Sequence, residues 1–286
     1  MTKQFSVTDF YRRFPTDDAC LEHLMKIRFG EKLDCPKCGK HGRFTKIKKV
    51  PAYQCAWCGH HIHPMAGTIF EDSRTPLQKW FYAMFLFSVS RNGVSARELQ
   101  RQLSVTLKCA WRMGHQIRQY IGEVDGNNPL GGIVEVDETM VGGKTTGGKR
   151  GRGAPNKTVV FGMLQKGGDV MTKVVPDVKR RTLYPHIQEN VVKGSTIHSD
   201  ELRSYNSLPQ IGYTHKTVNH GLGEYVRDGV HVNGLEGFWS MFKRSVRGTH
   251  VWVSPKHMPK YLAEFEYRYN MREKPEVMFP RLLLSF

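Results

Sequence analysis

The chain has 286 residues, with 43 Lys and Arg against 26 Asp and Glu, a formal charge of +17 that calls for a polyanionic partner or a solubility role. Hydrophobic residues at 39% and charged residues at 24% exclude wholesale disorder and collagen-like order. The longest apolar run, Trp80 to Phe87, falls far short of the ~18 residues a membrane span requires. The N-terminal residues mix aromatics with charges instead of forming a secretory signal, so a cytoplasmic location is expected.

In chain order, Phe10 to Arg28 reads as an amphipathic helix, with Cys20, Leu21, Leu24, Met25 and Ile27 near helical spacing. Leu33 to Phe70 is rich in Cys, Gly, Lys and His and reads as a small metal-held module. Thr75-Pro76 opens a buried helix that runs to about Val89. Ser95 and Glu98 form a capping box for a helix over 96–103, and a break at 104–106 leads into a helix over 107–121. Together these make a helix-turn-helix pattern, whose second helix would present Lys108, Arg112 and Arg118 to DNA. Residues 125–129 read as a linker. Strands are then expected over 133–141, 158–165 and 170–178, the last two joined as a hairpin at Gly167-Gly168. A helix over 182–192, a strand over 196–198 and helices over 235–246 and 256–272 follow. This is an α/β order with mixed sheet directions.

Cys35-Pro-Lys-Cys38 and Cys55-Ala-Trp-Cys58 are two C-x-x-C pairs separated by sixteen residues. Paired thiolates at this spacing suit one tetrahedral Zn²⁺ with no coordination position left for water, so the ion is structural. Gly39 and Gly59 follow the second Cys of each pair, where knuckles turn left-handed. His60, His61 and His63 crowd the second knuckle, but four sulfurs already close the tetrahedron. Lys37, Lys40, Arg43, Lys46, Lys48 and Lys49 surround the site without an intervening acid and suit phosphate contact.

In the basic C-terminal region, Asp137 and Asp200 each lie at or near the end of an apolar strand, and Glu236 opens the amphipathic Leu235-Glu-Gly-Phe-Trp-Ser-Met-Phe-Lys243. Carboxylates so placed can converge on a pair of hard cations, as phosphoryl transfer requires. Glu135 and Glu138 flank Asp137, but strand neighbours point to opposite faces, so neither is expected to share its metal. Trp239 and Phe242 are expected in the core.

The series V-E-V-D137-E-T, H-S-D200 and N233-G-L-E236-G-F-W-S-M-F-K243 resembles bacterial insertion-sequence DDE transposases with a ribonuclease-H-like core. Asp200 and Glu236 have thirty-five residues between them and Lys243 lies seven beyond Glu236, as in that superfamily. The upstream ribbon resembles its zinc-ribbon subgroup, and Tyr261 to Asn270 its closing helix. The resemblance implies four segments: an N-terminal helical part (1–30), a zinc ribbon (31–70), a helix-turn-helix region (75–122) and a ribonuclease-H-like mixed sheet with flanking helices (131–275). It implies binding of double-stranded DNA at the element's ends, strand cleavage and strand transfer by two Mg²⁺ or Mn²⁺ ions on Asp137, Asp200 and Glu236, and a homo-oligomer in the DNA complex. Lys243 would meet a phosphate, with Arg244 beside it. Some members of the subgroup place Asn where others have Glu, so Asn233 stands as the alternative to Glu236, its other reading being a helix N-cap.

Gly142 to Gly153 carries Lys144, Lys149, Arg150 and Arg152 and no acid, which suits a loop that DNA would neutralise. Two other readings share parts of this pattern. A transcription regulator would use the ribbon and helix-turn-helix but leave the acids without a role, and a ribonuclease-H-like nuclease would cleave without joining.

Overall fold

The computed structural model describes residues 5–126, 128–142, 157–218 and 232–286. Lys144, Lys149, Arg150 and Arg152 lie outside them. The chain forms two compact units, one of residues 1–90, 96–120 and 274–286, the other of residues 91–95 and 121–273. Among the described residues no helix is long and apolar enough to cross a membrane.

In the first unit the expected N-terminal helix is two. Helix α1 (Val7–Arg13) ends at Phe14 and α2 (Asp17–Phe29) restarts from a Thr16 N-cap, because Pro15 between them can neither donate a helical hydrogen bond nor leave Phe14 free to be helical. Strands β1 (Phe44–Lys46), β2 (Tyr53–Cys55) and β3 (His61–Ile62) form a three-stranded antiparallel sheet. It is too small to own a core, and α2 supports it: Arg28 donates to the carbonyls of Pro64 and Ala66 at 2.7 and 2.5 Å, and Lys46 pairs with Asp18 at 2.8 Å. Helix α3 (Leu77–Val89) buries Trp80, Phe81, Met84, Phe85 and Phe87. Phe10, Phe14, Phe81, Phe85 and Phe279 make a cluster of ring contacts around it, with Phe279 supplied by α9 (Met278–Leu284), a helix the sequence reading did not anticipate. Helices α4 (Ala96–Leu103) and α5 (Leu107–Asp125) flank a turn at Ser104, whose φ is 49°.

The second unit is built on a five-stranded mixed sheet. Strands β4 (Ile133–Gly142), β5 (Lys157–Gln165), β6 (Val170–Val175), β7 (Thr196–Ser199) and β8 (Thr214–Thr217) lie in the order β6-β5-β4-β7-β8. The β4–β5 and β5–β6 ladders are antiparallel, and β4–β7 and β7–β8 are parallel. Strand β8, Thr-His-Lys-Thr, has no apolar alternation to announce it.

Period-two alternation sends the two sides of β4 and β5 into separate cores. Val134, Val136, Phe161 and Met163 pack with Leu183 and Ile187 of α6 (Arg180–Asn190) and with Tyr205. Val141, Val160 and Leu164 pack with Leu235, Trp239 and Phe242 of α7 (Asn233–Ser245) and Phe265 of α8 (Met258–Asn270). Both faces are covered, as sheets with parallel crossovers require.

Candidate functional site

The four sulfurs of the ribbon converge. One Sγ from each of Cys35, Cys38, Cys55 and Cys58 lies within 4.8 Å of the others, with Cys35–Cys58 at 3.6 Å and Cys38–Cys55 at 3.9 Å. A tetrahedral ion with metal–sulfur bonds of about 2.3 Å sets sulfur–sulfur edges of about 3.8 Å, so the arrangement fits zinc. The knuckle glycines adopt the left-handed conformation, Gly39 at φ 67° and Gly59 at φ 73°. Their N–H groups bond back to the carbonyls of Cys35 and Cys55. His61 and His63 are exposed and His60 is half-buried; none joins the cluster.

The second cluster lies where the central sheet opens. The β4–β7 ladder pairs only Ile133–Glu135 with Thr196–His198, so among the described residues no strand pairs with this β4 edge beyond Glu135, and Asp200 follows the end of β7 there. One oxygen from each of Asp137, Glu138 and Asp200 lies within 4.8 Å of the others. Glu138, which alternation set aside as a partner for the metal of Asp137, therefore brings an oxygen to the same group. Alternation does hold at the backbone: Asp137 meets Trp239 on the α7 face and Glu138 accepts from the Tyr205 hydroxyl on the α6 face. Asp137 and Glu138 thus each bring an oxygen to Asp200 from neighbouring positions on β4.

Each acid is held. The Trp239 indole N–H donates to Asp137 at 3.0 Å, and it reaches there because Gly162 is the residue opposite Asp137 on β5. A Cβ on Gly162 would sit 2.4 Å from the Trp239 ring. Asp200 accepts from the Leu202 amide at 3.0 Å. Its carbonyl accepts from the Ser199 hydroxyl at 2.7 Å, and with that hydroxyl proton committed, His215 Nε2 at 2.8 Å must be the donor to Ser199. Burial lowers the His215 pKa, in keeping with this neutral role. Glu135, by contrast, accepts from the Leu235 amide at 3.0 Å and is buried, a structural partner for the start of α7. A Cβ on Gly234 would fall 2.8 Å from that carboxylate.

Burial, followed by the charge of Asp200, pushes the Asp137 carboxyl up to about 6, with Glu236 adding to the rise and the Trp239 hydrogen bond opposing it. Acids that repel one another at this range fit a site for dications, which would remove the repulsion. Glu236 is exposed in the first turn of α7, near enough to act on Asp137 yet outside the group gathered within 4.8 Å. Asn233 is the exposed first residue of that helix; the N-cap is Val232 and no side chain caps the end, so Asn233 does not serve as the cap. Lys243 is half-buried two turns on. Burial lowers its ammonium pKa, Asp137 attracts the charge, and Arg247 and Lys157 repel it.

Among the cations expected to meet DNA, Lys108, Arg112 and Arg244 are exposed. Arg118 is only 2% exposed, its guanidinium 4.9 Å from the centre of the Phe87 ring. It falls on the buried stripe that includes Ala110, Gly114, Ile117 and Ile121, so it cannot reach a phosphate as placed. Helical spacing from Gly114 carried that signal. Trp239 and Glu138 are the functional candidates that sequence reasoning passed over.

Residues 129–270 match the ISXO2-like transposase domain and residues 15–61 the transposase zinc-ribbon domain. The chain is 28% identical to an uncharacterized protein in transposable element ISH50 of Halobacterium salinarum, across 92% of this chain and 94% of that one. It is 34% identical over 104 residues to an uncharacterized transposase-like protein of Haemophilus influenzae, covering 36% of this chain and 83% of the relative. The second unit is thus a ribonuclease-H-like DDE domain, and the chain belongs to the ISXO2-like transposases that carry an N-terminal zinc ribbon.

Proposed function

We propose that the protein binds the ends of an insertion sequence, cleaves them and joins the freed 3′ ends to target DNA, with Asp137, Asp200 and Glu236 of the second unit holding two Mg²⁺ or Mn²⁺ ions. The observation that carries this reading is the meeting of Asp137, Glu138 and Asp200 oxygens within 4.8 Å, with a neighbouring charge from Glu236. Bound dications would supply Lewis-acid stabilisation of the attacking and leaving oxygens of an in-line displacement. The chain's own residues do the positioning. Trp239 fixes the Asp137 oxygen that it touches, and the Ser199–His215 pair fixes the backbone that presents Asp200. Lys243 would orient a phosphate beside Asp137, and Glu138 supplies further negative charge to the cations. Asn233, one turn before Glu236, remains the other candidate for the third protein ligand.

The ribbon would hold structural Zn²⁺, and Lys108, Arg112 and Arg244 would bind the phosphates of double-stranded DNA. Joining two ends to one target requires coordinated centres, so the active species would be a homo-oligomer on DNA.

A strand-transfer assay with labelled element ends and Mg²⁺ tests this. Asp137→Ala and Asp200→Ala should bind ends and form no joined product. Loss of joining in Glu236→Ala with activity retained in Asn233→Ala supports Glu236; the reverse assigns the role to Asn233. Wild-type joining by the Asp137 and Asp200 variants would refute the reading.

A further inference from the structure

Helix α7 does not stop cleanly at Ser245: it runs into a π-helical turn over Val246–His250, and the chain then reverses through Val251 at φ 64° and ψ −50°. The Trp252 amide donates to the His250 carbonyl at 2.7 Å, closing a γ-turn of the rare, strained hand. The residue at its apex is β-branched and 80% exposed, and the next is Trp252, 60% exposed. Strain of order 1–3 kcal/mol at a non-glycine residue persists where surrounding structure or function demands it. Here Val251 itself is largely exposed, and what the turn does is present an indole to solvent.

The surroundings say what the indole meets. Trp252 and Val251 line a small cleft with Met140, Gly142, Lys243 and Arg247. Met140 is three residues along β4 from Asp137, about 10 Å at strand rise, or roughly three steps of a DNA strand at 3.4 Å each. From Gly237 to Ala263 the chain holds Lys243, Arg244, Arg247, Lys256 and Lys260 and no acid. Such charge opposes docking of a basic second copy and favours a phosphodiester strand. An exposed indole among cations that track the strand is the chemistry of a base-stacking platform.

We infer that Trp252 is a stacking site for one unpaired nucleobase, a few nucleotides from the scissile phosphate, with Lys243 and Arg247 holding the flanking phosphates. The inference rests on the proposed DNA-strand chemistry of this unit and adds a preference: DNA with an unpaired base at the cleavage end binds better than fully paired DNA. Because the base stacks through its π-face, the site is tolerant of sequence.

The test uses the full zinc-loaded chain and two hairpin duplexes of equal length, one fully paired and one ending in an unpaired flap that carries 2-aminopurine. Wild type should bind the flap form more tightly and alter its fluorescence. Trp252→Leu, apolar but without an aromatic face, should lose roughly tenfold in affinity for the flap form together with the fluorescence change. Its affinity for the paired form and its salt dependence should stay as in wild type, and Trp252→Phe should restore most of the preference. Trp252→Leu matching wild type on both forms would overturn the inference alone. So would equal losses on both forms, or a change only in self-association, which would make the face a protein interface. Failure of wild type to bind either hairpin would overturn the DNA reading and this inference with it.

Discussion

Among the described residues, metal-type ligands gather twice, by opposite means. In the ribbon, four thiols from two local turns already sit at the edge lengths of a zinc tetrahedron, leaving no open position for chemistry. In the sheet, acids sixty-three residues apart in number, Asp137 and Asp200, are brought together only by the β4–β7 crossover, and burial, followed by the charge of Asp200, pushes Asp137 up to about 6. A closed site stores folding energy. An open, mutually repelling one stores affinity for cations and for whatever those cations bind.

The largest expected effect is on the closed site. Zinc removal or Cys55→Ser should unfold the ribbon, since structural zinc contributes ~10–16 kcal/mol in small modules. Protease susceptibility over 31–70 should rise while the circular dichroism of the second unit is retained. Unchanged protease resistance after chelation would show that α2 alone holds the ribbon. At the open site, Asp137→Ala or Asp200→Ala should lower cleavage by about a thousandfold or more, because metal stabilisation of the transition state is worth several kcal/mol. Overall stability should hold or rise, the reverse of the ribbon variant.

The cost of ionising Asp137 in this buried site beside Asp200 is measurable. Because the Asp137 carboxyl is raised from its ordinary 3.8 to about 6, the metal-free fold favours its neutral form. Stability is fully present below about pH 4 and is lost as pH rises through about 6, by roughly 3 kcal/mol. Denaturant titrations across this range should show the slope in wild type and not in Asp137→Asn, and saturating Mn²⁺ should reverse it. A flat profile in metal-free wild type would remove the electrostatic part of the account. The smallest effect is Trp239→Phe, which keeps the ring in the core and deletes the bond to Asp137. A loss of ~1.5–3 kcal/mol for a hydrogen bond to a charged group should appear in kcat and in the metal concentration for half-activity, with DNA affinity unchanged. Equal loss of DNA affinity would mean a general packing defect instead.

The same contrast explains what the sequence could tell. The C-x-x-C pairs are local, so spacing alone announced them, and Asp137 and Asp200 were legible because each ends or closely follows an apolar run. Glu138 was set aside by the alternation rule, which treats a strand as flanked along its whole length, whereas β7 ends at Ser199 and its ladder with β4 stops at Glu135. Trp239 read as core, and it is buried; its second task depends on Gly162 being its neighbour across the sheet, which no local pattern encodes. Arg118 was assigned by residue type when its position in the α5 period pointed inward. Strand β8 is short and polar, and α9 is a single short helix after Pro275, so neither offered enough periodicity to register.

The central claim, that the gap between β4 and β7 is a dication site, is tested most directly by Mn²⁺ binding to the zinc-loaded chain followed by electron paramagnetic resonance. Wild type should titrate Mn²⁺ from the free signal, while Asp137→Asn and Asp200→Asn should lose that binding and keep their zinc. Mn²⁺ binding by both variants at wild-type affinity would contradict the account.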